Sequence, residues 1–285
     1  MEEKIIITCD SAMDLSPELI KEYNIKVLPL NIKMGSNEYL DIEEASPDDI
    51  FAYYERTDDL AVTAAPTMQQ AFRFFTRFVH MGYTVIHFAM SSGLSTSYAN
   101  ASAAAESFQK VTVIDSKTAS VAGGLLVLTA AEMLREGRTS EEIIKESQNI
   151  SERLKEPFLI DEMEFLYKGG RASMLSTFMA GLLKIKPSLY VQNSDGTLQV
   201  GKKYMGKFES SAPKFIMESL ANGRNMHKKH IMIGHTGLTN DFLEDCKSQI
   251  QQLADFEQIH IIRAGCTITS HLGKNALILA WYTKS

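Results

Sequence analysis

Cysteine is scarce in this chain. Cys9, Cys246 and Cys266 are the whole complement among 285 residues, with no C-x-x-C pair, which argues against a zinc site and against a disulfide framework. Positive charge is in deficit, 29 Lys and Arg against 35 Asp and Glu, for a formal net charge of −6. A chain that must neutralise many phosphates carries the opposite sign, so nucleic acid is excluded as the main partner. Long apolar runs are missing too. Ile5-Ile6-Ile7 is too short for a signal peptide. The stretches Val121 to Met133 and Ala276 to Tyr282 fall short of the ~20 residues that span a bilayer, and a cytoplasmic protein is expected. G-x-G-x-x-G, G-x-x-x-x-G-K-[ST], H-E-x-x-H and the kinase and EF-hand signatures are all absent, so no nucleotide or metal cofactor is supported.

What is present, 45% hydrophobic and 22% charged residues, is the make-up of an ordinary globular protein. Short β-branched runs alternate with longer amphipathic stretches, the pattern of an α/β protein. Strands are expected at Lys4 to Cys9, Ile25 to Ile32, Thr84 to Met90 and Val111 to Ile114. Further strands are expected at Ile231 to Ile233 and Ile259 to Ile262, followed by a final apolar segment, Ala276 to Trp281. Ser16-Pro17 and Ser46-Pro47 each pair an N-cap with proline at the first helical position. Thr67 to Gln70 has capping-box spacing, and Thr139 caps a helix that runs to about Lys155. Longer helices are expected over Tyr98 to Phe108, Thr118 to Arg135 and Asn240 to Leu253. Ser188 to Val191 and Thr197 to Val200 flank Asn193-Ser194-Asp195-Gly196, a hairpin whose turn residues tolerate positive φ. The texture changes after Pro157. Two lobes are expected, a parallel-sheet α/β lobe over 1–156 and a mixed α+β lobe over 157–285, with a ligand between them.

Ser91-Ser92-Gly93-Leu94-Ser95-Thr96-Ser97-Tyr98 lies between a strand and a helix. Such a turn sets hydroxyls and unpaired amides at the positive end of a helix dipole, which suits an anion. Gly93 to Ser97 also reads as G-x-S-x-S, a variant of the nucleophile elbow. His271 and Asp10 would complete a hydrolase set, although a serine in the last place crowds the turn. Cys9-Asp10-Ser11 and Asp115-Ser116 close strands, and parallel sheets bind ligands at those ends; Asp115 reads as a turn residue. Thr63-Ala64-Ala65-Pro66 is an extended pre-proline segment. His235 and His271 precede a glycine by two residues and are the histidines available for a site. The other five sit in helix or strand texture, and none has metal-ligand spacing. Phe158, Phe165, Leu166, Phe178, Met179 and Leu182 are soft enough to line an apolar tunnel.

Taken in order, these segments resemble the DegV family, bacterial fatty-acid-binding proteins that include the FakB subunits of fatty acid kinase. The likeness covers 4–283. It runs through Thr8 to Leu15, Val27 to Leu30, Thr63 to Pro66 (similar to T-S-Q-P) and Ser91 to Tyr98 (similar to S-S-x-L-S-G-T-Y). It continues in Tyr167-Lys168-Gly169-Gly170-Arg171, Leu183 to Pro187 and Ser270-His271-Leu272-Gly273 (similar to T-H-x-G-P-G). Thr96 departs from the family glycine, and Lys274-Asn275 from Pro-Gly. The resemblance implies a two-lobe fold holding one long-chain fatty acid, its carboxylate bound by Thr63 and Ser95 with His271 at that end. Ser92, Gly93 and Ser11 would form the neighbouring polar loop. It implies a carrier that presents the carboxylate to an ATP-dependent kinase partner for acyl-phosphate formation and phospholipid synthesis, with Arg171 near the docking surface. No catalytic residue, cofactor or metal of its own is implied, and a transient contact with a membrane surface is compatible. A serine hydrolase using Ser95 and His271, and a lipid sensor without a kinase, are the competing readings.

The chemistry is consistent with a carrier. Burying roughly 14 methylenes at about 0.8 kcal/mol each offers on the order of 11 kcal/mol, so the tail supplies affinity and the polar end sets register. Hydroxyls carry no charge. A buried carboxylate there needs a helix dipole, a protonated His271, or its own proton.

Overall fold

The computed structural model describes residues 3–170, 185–221 and 223–284. One sheet is parallel throughout, in the order β2 (Lys26–Leu28), β1 (Ile5–Asp10), β6 (Thr84–Ala89) and β7 (Val111–Asp115). A seven-stranded mixed sheet follows the order β11 (Thr197–Met205), β10 (Ile185–Gln192), β9 (Pro157–Leu159), β14 (Leu277–Tyr282), β12 (His230–His235) and β13 (Gln258–Arg263). Its short strand β8 (Leu154–Lys155) pairs with β14. Among the described residues, only β12 and β13 run parallel within it. A small antiparallel sheet has the order β4 (Asn37–Leu40), β3 (Asn31–Met34) and β5 (Val62–Ala64).

Helices begin where the capping chemistry predicts. Ser16 accepts from the Leu19 amide at the head of α1 (Pro17–Glu22). Reciprocal capping boxes open α2 (Pro47–Thr57), α3 (Met68–His80) and α6 (Ser140–Arg153), satisfying amides that have no intrahelical partner. Helix α4 (Ser97–Ala105) follows the serine loop. Helix α5 (Ser120–Arg135) is buried continuously from Ser120 to Met133 and packs on β1 on one side and on β12 and β14 on the other. Burial between two sheets is why its sequence is apolar all round rather than striped.

One expectation needs correction. Ile25 to Ile32 is not one strand but two, β2 in the parallel sheet and β3 in the small sheet. Pro29 has no amide to continue the ladder, and the Leu30 amide donates instead to Ser11 Oγ at 3.0 Å. The segment after β13 forms helix α10 (Cys266–Leu272), which a run of Thr267, Ile268 and Thr269 disguises because β-branched residues favour strands. Also unread in the sequence are α7 (Glu164–Lys168) and α8 (Phe208–Ser219), the latter carrying Pro213 internally. Helix α9 (Asn240–Leu253) coincides with its expected bounds.

Candidate functional site

Thr63 sits in the middle of β5, paired with Ile32 of β3. The turn after it is held by two side-chain amides. Asn31 donates to the Ala65 carbonyl at 3.2 Å and Asn100 to the Pro66 carbonyl at 2.8 Å. The half-buried Thr63 hydroxyl lies 2.8 Å from His271 Nε2, a contact between residues 208 apart in sequence.

The serine loop is clamped at both ends by Asp10, at the C-terminal end of β1. Its Oδ2 accepts from the Met90 amide at 2.8 Å and from Ser97 Oγ at 2.7 Å. Its Oδ1 lies 3.3 Å from His87 Nε2, and His87 Nδ1 lies 2.9 Å from Thr8 Oγ1. Asp10 thus holds the serine loop and faces His87, and it does not orient His271, as a hydrolase set would require. Ser95 Oγ accepts from the Ser97 amide at 3.1 Å, which leaves its own proton to donate. Ser91 Oγ donates to the Gly196 carbonyl at 2.7 Å. A Cβ on Gly93 would fall 2.6 Å from the Asp195 carbonyl oxygen, and one on Gly196, at φ +70°, would fall 1.9 Å from Ser91 Oγ. The β10–β11 turn therefore docks on the serine loop because both glycines lack side chains.

His271 ends helix α10, and α10 is set by two buried carboxylates. Asp41 accepts from the Cys266 amide (3.0 Å), the Thr267 amide (3.3 Å) and Thr267 Oγ1 (2.6 Å). Asp14 accepts from the Gly265 amide at 2.8 Å and from Ser120 Oγ at 2.7 Å. Acidic groups at a helix start complement its dipole, but burial dominates for Asp14 and pushes its carboxyl up to about 7. Gly169 closes over the imidazole, where an added Cβ would lie 2.7 Å from His271 Nδ1.

Thr63, Ser95 and His271 line one cavity whose atom-free space, counted out to its mouth, is about 740 Å³. The small sheet contributes Thr63 and Ala64 to it, and the seven-stranded sheet Phe158, Val191, Leu198 and Ile278. Besides those three residues, the polar lining consists of Ser120, Glu156 and Thr267; the rest is apolar. Of the residues expected to line a tunnel, Phe158 and Leu166 do so. Phe165 packs instead on Tyr54, ring centroids 4.8 Å apart, and Phe178, Met179, Leu182 and Arg171 fall outside the described residues.

The other expected loop residues are engaged elsewhere. Ser11 donates to Asp41 Oδ2 at 3.0 Å and accepts from Leu30, so it supports α10 from behind. Ser92 is exposed; its amide donates to Asp115 Oδ1 and its hydroxyl accepts from Lys117 Nζ. Asp115 also accepts from the Lys117 amide, the turn role expected of it. His235, on β12, is absent from the cavity wall, and burial pulls it down to about 4. At the family departures, Thr96 is exposed and has ordinary φ, so its side chain is accommodated. Asn275 adopts φ +59°, a conformation asparagine tolerates, with its amide on Asp161 Oδ2 at 3.0 Å. Sequence reasoning missed Glu156 and Asp41. A lone acid beside Pro157 and one in a polar loop carry no pattern, and only burial distinguishes them.

A family model described as "uncharacterised protein, DegV family" matches residues 4–284. A DegV domain-containing protein of Clostridium acetobutylicum is 30% identical over 258 residues, 88% of this chain and 90% of its own length. One of Caldanaerobacter subterraneus is 29% identical over 277 residues, 96% of this chain and 97% of the relative. Among solved structures, a fatty-acid-binding DegV family protein from Thermus thermophilus superposes with a TM-score of 0.90 at 25% identity, covering 99% of this chain and 100% of the other. The Streptococcus pneumoniae fatty acid kinase B3 protein, solved with linoleic acid, gives 0.83 at 21% identity over 99% and 100% of the two chains.

Proposed function

This chain belongs to the DegV family, and from that membership we propose that it binds one long-chain fatty acid in the cavity and presents the carboxylate to an ATP-dependent kinase partner. The observation that carries the reading is the mostly apolar cavity with Thr63, Ser95 and His271 in one wall and a 2.8 Å contact already joining two of them. In this reading Ser95 and Thr63 donate to the carboxylate, and His271 Nε2–H donates to Thr63 Oγ1, which turns that hydroxyl's proton toward the ligand. The protein makes and breaks no bonds itself. Arg171 contributes to docking of the kinase, and a brief membrane contact delivers the acid. The division near residue 156 separates two lobes that grip the chain between them.

Native mass spectrometry of the protein as purified tests this reading. The expected result is one fatty acid per chain. Ser95→Ala is expected to retain the tail while weakening loading about tenfold, the effect of one lost hydrogen bond to a charged group, and to depress kinase-coupled turnover further. Hydrolysis of a simple activated ester, abolished by Ser95→Ala, would favour the hydrolase reading instead.

A further inference from the structure

Three polar side chains of the parallel sheet have no exposed surface: Thr8 and Asp10 of β1 and His87 of β6. Phe74 and Phe75 of α3 meet the His87 ring edge-on, with ring centroids 6.3 and 5.1 Å away. A phenyl would pack there as well, so what distinguishes histidine is its pair of nitrogens. Nδ1 lies 2.9 Å from Thr8 Oγ1, whose other contact, the Ile86 carbonyl, is at 3.4 Å. The hydroxyl proton therefore goes to the ring, and a ring that accepts at Nδ1 carries its own proton on Nε2. Nε2 stands 3.3 Å from Asp10 Oδ1. Neither atom has another hydrogen-bond partner among the described residues, so each has only the other to meet it. The second oxygen of Asp10 leads toward the cavity. It accepts from the Met90 amide and from Ser97 Oγ; the Ser97 amide donates to Ser95 Oγ; and Ser95 lines the cavity.

We propose that His87 is a positioning residue for the carboxylate of the bound acid. It fixes Asp10, Asp10 fixes Ser97, and Ser97 fills an acceptor site on Ser95 Oγ, so that the Ser95 proton is aimed at the ligand. The inference rests on the fatty-acid-carrier reading, with Ser95 as a donor within it. An uncharged hydroxyl binds a carboxylate best when it is ordered beforehand, because ordering it at the moment of binding cancels part of the hydrogen bond. Without His87, Asp10 Oδ1 is a buried acceptor left unmet. The carboxylate then turns to relieve it, and Ser97 and Ser95 lose their alignment. Of the residues in this chain only Ser95 lines the cavity, so the loss falls on the head group and not on the tail.

The test is a double-mutant cycle on the full chain, stripped of lipid and titrated with stearic acid under native mass spectrometry. His87→Phe, which keeps a ring and loses the nitrogens, is expected to weaken stearic acid binding about fivefold, one hydrogen bond's worth. His87→Gln, whose amide replaces the Nε2 donor, is expected to recover most of that loss. In a Ser95→Ala background His87→Phe should cause no further loss, because its effect passes through the Ser95 hydroxyl. A role confined to packing would instead let the two losses multiply. Full affinity in His87→Phe overturns the inference, and so do losses that multiply. If His87→Phe does not fold, the nearly isosteric Thr8→Val reads the same chain. A loss that vanishes in Ser95→Ala supports the inference there, and unchanged affinity or a loss that persists overturns it. If the unmodified protein loads no stearic acid, the carrier reading itself falls, a result distinct from loading that ignores His87.

Discussion

A carboxylate removed from water must be matched by donors, and Asp41 gathers four: Ser11 Oγ, the Cys266 and Thr267 amides and Thr267 Oγ1. Asp41→Ala would leave those donors buried and unmet, so it is expected to destabilise the protein by about 3 kcal/mol and to loosen His271, which α10 carries. Urea denaturation reads the first effect; an unchanged midpoint would contradict the assignment. Glu156 acts in the opposite sense. Its carboxyl is raised from 4.5 to about 8 in the folded chain, so the folded state holds a proton that the unfolded state releases. Stability from this group is complete below about pH 4.5 and is lost as pH rises toward 8, by the linkage relation between bound protons and free energy. Glu156→Gln should therefore gain on the unmodified protein between pH 5 and pH 8, by on the order of a few kcal/mol. Parallel stability curves would show that the acid is not held neutral.

At the level of elements, the site depends on a hairpin that contributes both wall and support. Val191 and Leu198, paired across β10 and β11, line the cavity, and the turn between them packs on the serine loop. Gly196→Ala would combine a left-handed φ of +70° with a Cβ 1.9 Å from Ser91 Oγ. It is expected to lower thermal stability by about 1–3 kcal/mol and to shift the loop that holds Ser95; an unaltered melting temperature would contradict the docking. The turn was legible in Asn193 to Gly196 because turn chemistry is local. That Gly93 exists to admit it was not, since the contact joins segments about a hundred residues apart in the chain. The same distinction separates α9, whose cap and stripe reproduce its bounds, from α10. There the β-branched run points to a strand, and the helix is imposed by Asp14 and Asp41, far away in sequence. Thr63 was legible only as part of a resemblance, because a threonine before Ala-Ala-Pro has no chemistry until His271 is placed beside it, whereas the serine loop that carries Ser95 showed its affinity for an anion locally.

Across the whole molecule, helix α5 joins the parallel sheet to the mixed sheet, its glycines bringing it onto the loop after β1. A Cβ at Gly123 would meet Met13 Sδ at 1.9 Å, and one at Gly124 the Asp14 carbonyl oxygen at 2.1 Å. The cavity takes residues from the small sheet, the seven-stranded sheet, the serine loop and helix α10, so a ligand within it is expected to stabilise the contacts among these parts. At a hundredfold excess over its dissociation constant the gain is about 2.7 kcal/mol, and removing lipid should lower the melting temperature accordingly. No described helix is long and apolar enough to cross a membrane. The most direct measurement is a crystal structure of the protein with its bound fatty acid. The carboxylate should lie within hydrogen-bond distance of both Thr63 Oγ1 and Ser95 Oγ, with the tail running past Phe158 and Leu166. A carboxylate directed to solvent away from those hydroxyls, or a ligand lodged outside this cavity, would contradict it.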